Sequence, residues 1–74
     1  MTAATDTEAF AAGLAVEAAR QHLAAHALAA RAHVTTHTVT RIMDGTDTPC
    51  PRMQQLLAQA LGVTPGRIYE QGGW

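Results

Sequence analysis

The chain has 74 residues, 47% of them hydrophobic, and a formal net charge of −1. That length makes one small domain, too short to bury a large core without close packing or a partner. The charge excludes bulk attraction to a polyanion, the single cysteine excludes an internal disulfide, and no apolar run approaches the roughly 20 residues that cross a bilayer.

Much of the apolar content is alanine, so the core must come from Leu, Ile, Val and Met between close-packed helices. Arg20, Arg31, Arg41, Arg52 and Arg67 are the only fixed cations. Charge is uneven along the chain. Residues 31–52 set Arg31, Arg41 and Arg52 against Asp44 and Asp47, and the remainder sets Arg20 and Arg67 against Asp6, Glu8, Glu17 and Glu70. The middle is the electropositive part. "MTAATDTEAF" has neither a basic start nor a leucine-rich stretch, so no signal peptide is expected, and Cys50 fits a reducing cytoplasm.

Residues 1–5 read as a tail. Thr5 and Glu8 form a capping box, with Asp6 at the positive end of the helix dipole. A first helix is predicted from about Asp6 to Gln21, with Phe10, Leu14 and Ala18 on one stripe. Gly13 counts against that helix by about 1 kcal/mol relative to alanine. A second helix covers roughly Ala24 to Ala32, with Ala24, Ala25, Leu28 and Ala32 as a small-residue face.

"RAHVTTHTVTRIMDG" then places four threonines and two valines at the centre of an otherwise Ala/Leu-rich chain. Branched side chains favour strands. Strand alternation, however, would group Val39 with Thr35, His37 and Arg41, a mixed face. A helix period gathers Val39, Ile42 and Met43 on one side and Thr36, His37, Thr40 and Arg41 on the other. Thr35 is a good N-cap and Gly45 a good C-terminal stop, so a helix at about 36–44 is predicted. "TDTPCP" is a loop, and Pro51 opens a fourth helix that buries Met53, Leu56, Leu57, Ala60 and Leu61 before Gly62. Thr64 and Pro65 cap a last short helix through about Glu70. The reading is all-α: five short helices in one domain over residues 6–71, with a tail at 72–74.

"LAARAHVTTHTVTRIMDGTDTP", Leu28 to Pro49, resembles the phage repressor/Cro-type helix-turn-helix family. "QALGVTPGRIYE", Gln59 to Glu70, resembles the same family's junction between its fourth and fifth helices. The likeness covers about residues 10–70. It implies a sequence-specific DNA-binding transcription regulator, Cro-like or a minimal repressor, of phage or bacterial origin. The expected partner is double-stranded DNA, read at a short inverted repeat by a homodimer, with Ile68, Tyr69 and Trp74 as candidate self-association residues. Ile68 is the one of these favoured for the core.

On the matching positions, Thr36, His37, Thr40 and Arg41 would face base edges in the major groove. Arginine can grip guanine O6 and N7, and Thr and His can exchange hydrogen bonds with base edges. Ala25, Arg31, Thr38, Thr46 and Arg52 would meet phosphates. The chain departs from the family at four places. His33 replaces the turn glycine, although histidine tolerates positive φ. Ala24 and Ala25 replace the Ser-Gln that opens the second helix, leaving backbone N–H groups there. Asp47 occupies a loop that usually carries a base. Ala18 and Met43 stand where related domains pair an arginine with a glutamate, a joint loss that apolar packing can absorb.

Other chemistry is poorly represented. His22/His26 and His33/His37 have i, i+4 spacing, but each pair is expected to straddle a helix end and no third ligand is evident, so no metal is expected. No paired carboxylates, phosphate loop or nucleophile–base set suggests an enzyme. Cys50 fits the serine cap position before Pro51 better than a catalytic role. No cofactor, small-molecule ligand or membrane is expected. The alternative function is a protein-interaction module that keeps the fold without specific DNA binding.

Overall fold

The computed structural model describes residues 6–73. The expected tail at 1–5, the Thr5 half of the capping box and Trp74 lie outside the described residues. Five helices follow in order: α1 (Asp6–Arg20), α2 (Ala25–Ala32), α3 (Thr36–Met43), α4 (Pro51–Leu61) and α5 (Pro65–Gln71). The strand-like central segment is helical. Its apolar side, Val39 and Ile42, is buried, and tertiary burial together with a good cap outweighs the propensity of branched residues.

One cluster joins all five helices: Phe10, Leu14 and Ala18 of α1, Leu28, Ala29 and Ala32 of α2, Val39 and Ile42 of α3, Leu57, Ala58 and Leu61 of α4, and Ile68 of α5. Within α1 to α4 these residues are linked by three- and four-residue steps, the stripe that a helix lays against a core. The expected face of α2 shifts slightly. Ala24 is exposed, because it is the extended residue before the helix (φ −75°, ψ 164°), and Ala29 is buried in its place.

The most extensive contact between helices joins α1 to α5. It requires two glycines. A methyl group on Gly13 would overlap the Ile68 carbonyl of α5, and one on Gly72 would overlap the Ala9 carbonyl of α1. Gly13 is therefore no flaw in α1, as propensity alone suggests; it lets the two backbones touch. Beside them the Phe10 and Tyr69 rings meet edge to face, centroids 5.4 Å apart. Ile68 is fully buried in this seam, which removes it from the expected dimer contacts.

The junctions between helices share one device. After α1, α2, α3 and α4, a left-handed residue lets two successive N–H groups turn back to carbonyls near the helix end. At the end of α2 these are His33 N to Ala30 O (3.3 Å) and Val34 N to Ala29 O (3.0 Å). Gly45 and Gly62 supply the left-handed residue after α3 and α4, but His22 (φ 56°) and His33 (φ 61°) supply it after α1 and α2. A Cβ in that region costs energy that glycine avoids.

Two substitutions should therefore act against ordinary expectation. Gly13→Ala, stabilising in an exposed helix, should cost at least about 1–3 kcal/mol as overpacking. His33→Gly should add up to about 1 kcal/mol by relieving the left-handed backbone. Urea unfolding midpoints read both; a more stable Gly13→Ala protein would contradict the close α1–α5 approach.

Candidate nucleic-acid interface

The exposed side of α3 is built from its cap upward. Thr35 accepts a hydrogen bond from Thr38 N at 3.1 Å, and the Thr35 and Thr38 hydroxyls bond each other at 2.8 Å. Thr35 thus caps the helix through its side chain, and Thr38, three residues on, braces the capping hydroxyl. Thr40 donates its hydroxyl to Thr36 O at 3.0 Å. Thr36, His37 and Thr40 are exposed, while Val39 and Ile42 are buried and Met43 packs half-buried on the core. Because α2 and α3 are held by the His33 turn and pack together, the exposed side of α3 has a fixed orientation on the domain.

Arg41 extends from that side to the loop that follows. Its Nε donates to Asp47 Oδ2 at 2.8 Å and one Nη to Oδ1 at 3.0 Å, a two-pronged pair. The bonds to Arg41 hold Asp47 below its ordinary carboxylate pKa; the positive charges of Arg41 and His37 add to this and partial burial opposes it. The same bonds raise Arg41. The loop is held further by a Thr7–Thr48 hydroxyl bond of 2.8 Å and by Gln54 Nε2 donating to Pro49 O at 3.1 Å. Thr38, Ile42, Asp47 and Met53 line an open cleft of about 280 Å³ where α3, the loop and the start of α4 converge.

The remaining sequence-predicted positions distribute around this side as follows. Arg31 is exposed in the last turn of α2, Thr46 is exposed in the loop, and Arg52 is exposed in the first turn of α4. Thr38 is half-buried. Ala25 is half-buried at the start of α2, which has no side-chain cap. Cys50 precedes Pro51 at the start of α4, exposed and with no capping hydrogen bond. His22 lies at the end of α1 and His26 within α2, and His33 and His37 are likewise divided between the turn and α3. Among the described residues no three His, Cys, Asp or Glu side chains converge as a metal site would require.

The chain matches no protein-family model and no curated protein sequence. Its structure is similar to the clp gene regulator ClgR of Corynebacterium glutamicum, with a TM-score of 0.87 over 95% of this chain and 74% of that one. The fold is a five-helix, helix-turn-helix fold. Identity in that match is 17%, so the likeness carries the helix-turn-helix architecture alone. In it, α2 and α3 are the two helices of the motif, α4 packs on α2 and α1 on α3, and no helix among the described residues is long and apolar enough to cross a membrane.

Sequence reasoning missed the roles of two carboxylates of this domain. Asp47 was read as a loop charge, not as the partner of Arg41; their opposite charges across the turn at Gly45 were the available signal. Glu17 is 4% exposed yet charged. It accepts from Gln21 Nε2 at 3.0 Å and from Gln71 Nε2, and lies 3.5 Å from Arg20 and 3.8 Å from Arg67. The signal was its place seven residues after Phe10, on the apolar stripe. The Gln21 bond chiefly, then Gln71 and the two arginines, lower its pKa against the opposing effect of burial. Gln21 Nε2 also donates to Leu61 O at 2.6 Å, joining α1 to the end of α4. Fully hydrogen-bonded and ionised, Glu17 ties helices together and has no free proton chemistry.

Both carboxylates have lowered pKa values in the folded state. Each therefore contributes stability that is present above its unfolded pKa, about 3.9 for Asp and 4.3 for Glu, and is lost as pH falls through the folded value. The melting temperature should fall below about pH 4, and Glu17→Gln should flatten that acid limb while lowering stability at pH 7. Melting curves at stepped pH decide this: an acid limb equally steep without the Glu17 carboxylate would assign it to other groups.

Proposed function

We propose that the protein is a sequence-specific DNA-binding transcription regulator, Cro-like or a minimal repressor, that reads the major groove with α3. One observation carries the reading: Thr36, His37, Thr40 and Arg41 form the outward side of the second helix of a helix-turn-helix whose inward side is locked in the core. In such a motif the second helix enters the major groove. The base contacts are Thr36, His37, Thr40 and Arg41. Ala25, Arg31, Thr38, Thr46 and Arg52 meet phosphates, Ala25 through its backbone N–H at the start of α2.

The single domain over residues 6–71 acts as a cytoplasmic homodimer on a short inverted repeat, associating through Tyr69 and Trp74, and it blocks a promoter by occupancy. It uses no cofactor and catalyses no reaction. The ClgR likeness supports a regulator, since that neighbour is described as one. A second reading, a protein-interaction module on the same fold, is favoured by the net charge of −1 and by the carboxylate that neutralises Arg41.

Titration against the DNA upstream of its own gene at two salt concentrations separates the two readings. A dimer using Arg31, Arg41 and Arg52 should give a log K against log salt slope of about −4 to −6. Arg41→Ala should weaken the cognate site roughly tenfold to a hundredfold and relax discrimination at one base pair per half-site, whereas Arg52→Ala should weaken all sequences about equally. Equal affinity for cognate and random DNA at low salt would leave the interaction module as the function.

A further inference from the structure

We propose that Asp47 is a positioning residue that aims Arg41 at a guanine, so that the ion pair sets sequence discrimination; this rests on the reading of α3 as a DNA-reading helix. A guanidinium carries five N–H donors in a fixed plane. The bonds to Asp47 use Nε–H and one hydrogen of an Nη. Three N–H donors remain on the two Nη atoms, and two of them, one on each Nη, form the end-on edge of the fork. Guanine presents O6 and N7 side by side in the major groove, a spacing that such an edge can span. Arg41 can therefore hold the carboxylate and a base at once, without exchanging one for the other.

Asp47 is itself fixed by the residue it orients. After Gly45 turns the chain (φ 76°), the Thr46 and Asp47 N–H groups both reach Arg41 O, at 2.9 and 3.3 Å. Main chain and side chain of residue 41 are thus gripped from one loop. A long side chain otherwise free to explore many rotamers is ordered before any partner arrives, which lowers the entropy lost on binding. The pair remains open to solvent: the side chains are 44% and 46% exposed. A carboxylate serving to hide the arginine would leave less of it available.

The charge of Asp47 carries a definite consequence. It repels phosphate and offsets the attraction of Arg41 for any DNA, whatever its sequence, while leaving the directional fork intact. Asp47 thus trades general affinity for discrimination, in a chain whose net charge of −1 offers little general affinity to begin with.

The experiment selects a cognate duplex from a random-sequence pool with the wild-type chain. It then measures binding of wild type, Asp47→Ala and Asp47→Asn to that duplex, to its single G·C→A·T variants, and to random duplex. Asp47→Asn is nearly isosteric and covers the case in which the alanine variant fails to fold. Removing the carboxylate should raise affinity for random duplex several-fold and make its salt slope steeper by about 0.9 per subunit. Discrimination at one guanine per half-site should fall about tenfold or more, with other positions unchanged, and Asp47→Glu should recover part of it. Variants that bind every duplex more tightly with discrimination intact would make Asp47 a mask and overturn the proposal. Variants identical to wild type on every duplex would also overturn it, though the helix would still read DNA. A wild-type chain that enriches no sequence would instead remove the DNA reading, and the proposal with it.

Discussion

The close approach of α1 and α5 is the constraint on which the rest depends. With only one Phe, one Tyr and one Trp in 74 residues, the chain cannot fill wide gaps between helices. It brings backbones together instead, through Gly13 under Ile68 and Gly72 under Ala9. That contact fixes α1, and α1 in turn packs against α3. Glu17 is the polar counterpart of the glycine contact, holding Gln21, Gln71, Arg20 and Arg67 around one buried carboxylate. Loss of one of these partners from a buried, hydrogen-bonded charge costs more than the bond itself contributes. The seam is therefore both tight and specific about which residues meet.

The junctions transmit that rigidity to the outward side of α3. A left-handed residue and two returning hydrogen bonds close α1, α2, α3 and α4, so each helix ends at a definite place and the next begins at a definite angle. Two of these four positions are histidine, where the backbone is less comfortable than with glycine. The α2–α3 turn tolerates this because Val34, directly after His33, packs against the core and holds the turn closed. On the other side of α3, the loop is drawn back by Arg41 and Asp47 and tied to α1 through Thr7 and Thr48. Both ends of α3 are thereby anchored to the same framework.

The helices and their caps were legible because local chemistry decides them. Thr35, Thr64, Pro51, Gly45 and Gly62 each occupy the terminal positions their residue types favour, and the apolar stripes of α1 and α3 follow the helical period. In α4 Leu57 and Leu61 are buried as expected, with Ala58 beside them, while Met53, Leu56 and Ala60 are only half-buried. The left-handed His33 was legible as well, since it stands where the resembling family has glycine. What escaped the sequence depends on tertiary distance. Gly13 reads as a weakness until Ile68, itself legible as a core residue, lies across it. The Arg41–Asp47 pair spans six residues, a spacing with no helical meaning, and it exists only because the loop reverses after Gly45. Ala24 was misassigned for a smaller reason: without a side-chain cap, nothing in the residue types marked where α2 begins.

The threonines of α3 have a consequence for any partner that covers them. A polar surface normally resists covering, because stripping its water leaves donors and acceptors unpaired. Here the Thr40 proton is already given to Thr36 O, and the Thr35 and Thr38 hydroxyls already bond each other. A threonine also has a single, stiff χ1 and therefore little motion to surrender. These three hydroxyls are thus inexpensive both to dehydrate and to immobilise. A small, nearly neutral protein can in this way gain a hold on a wet surface from shape and hydrogen bonding, where a more basic one would rely on charge.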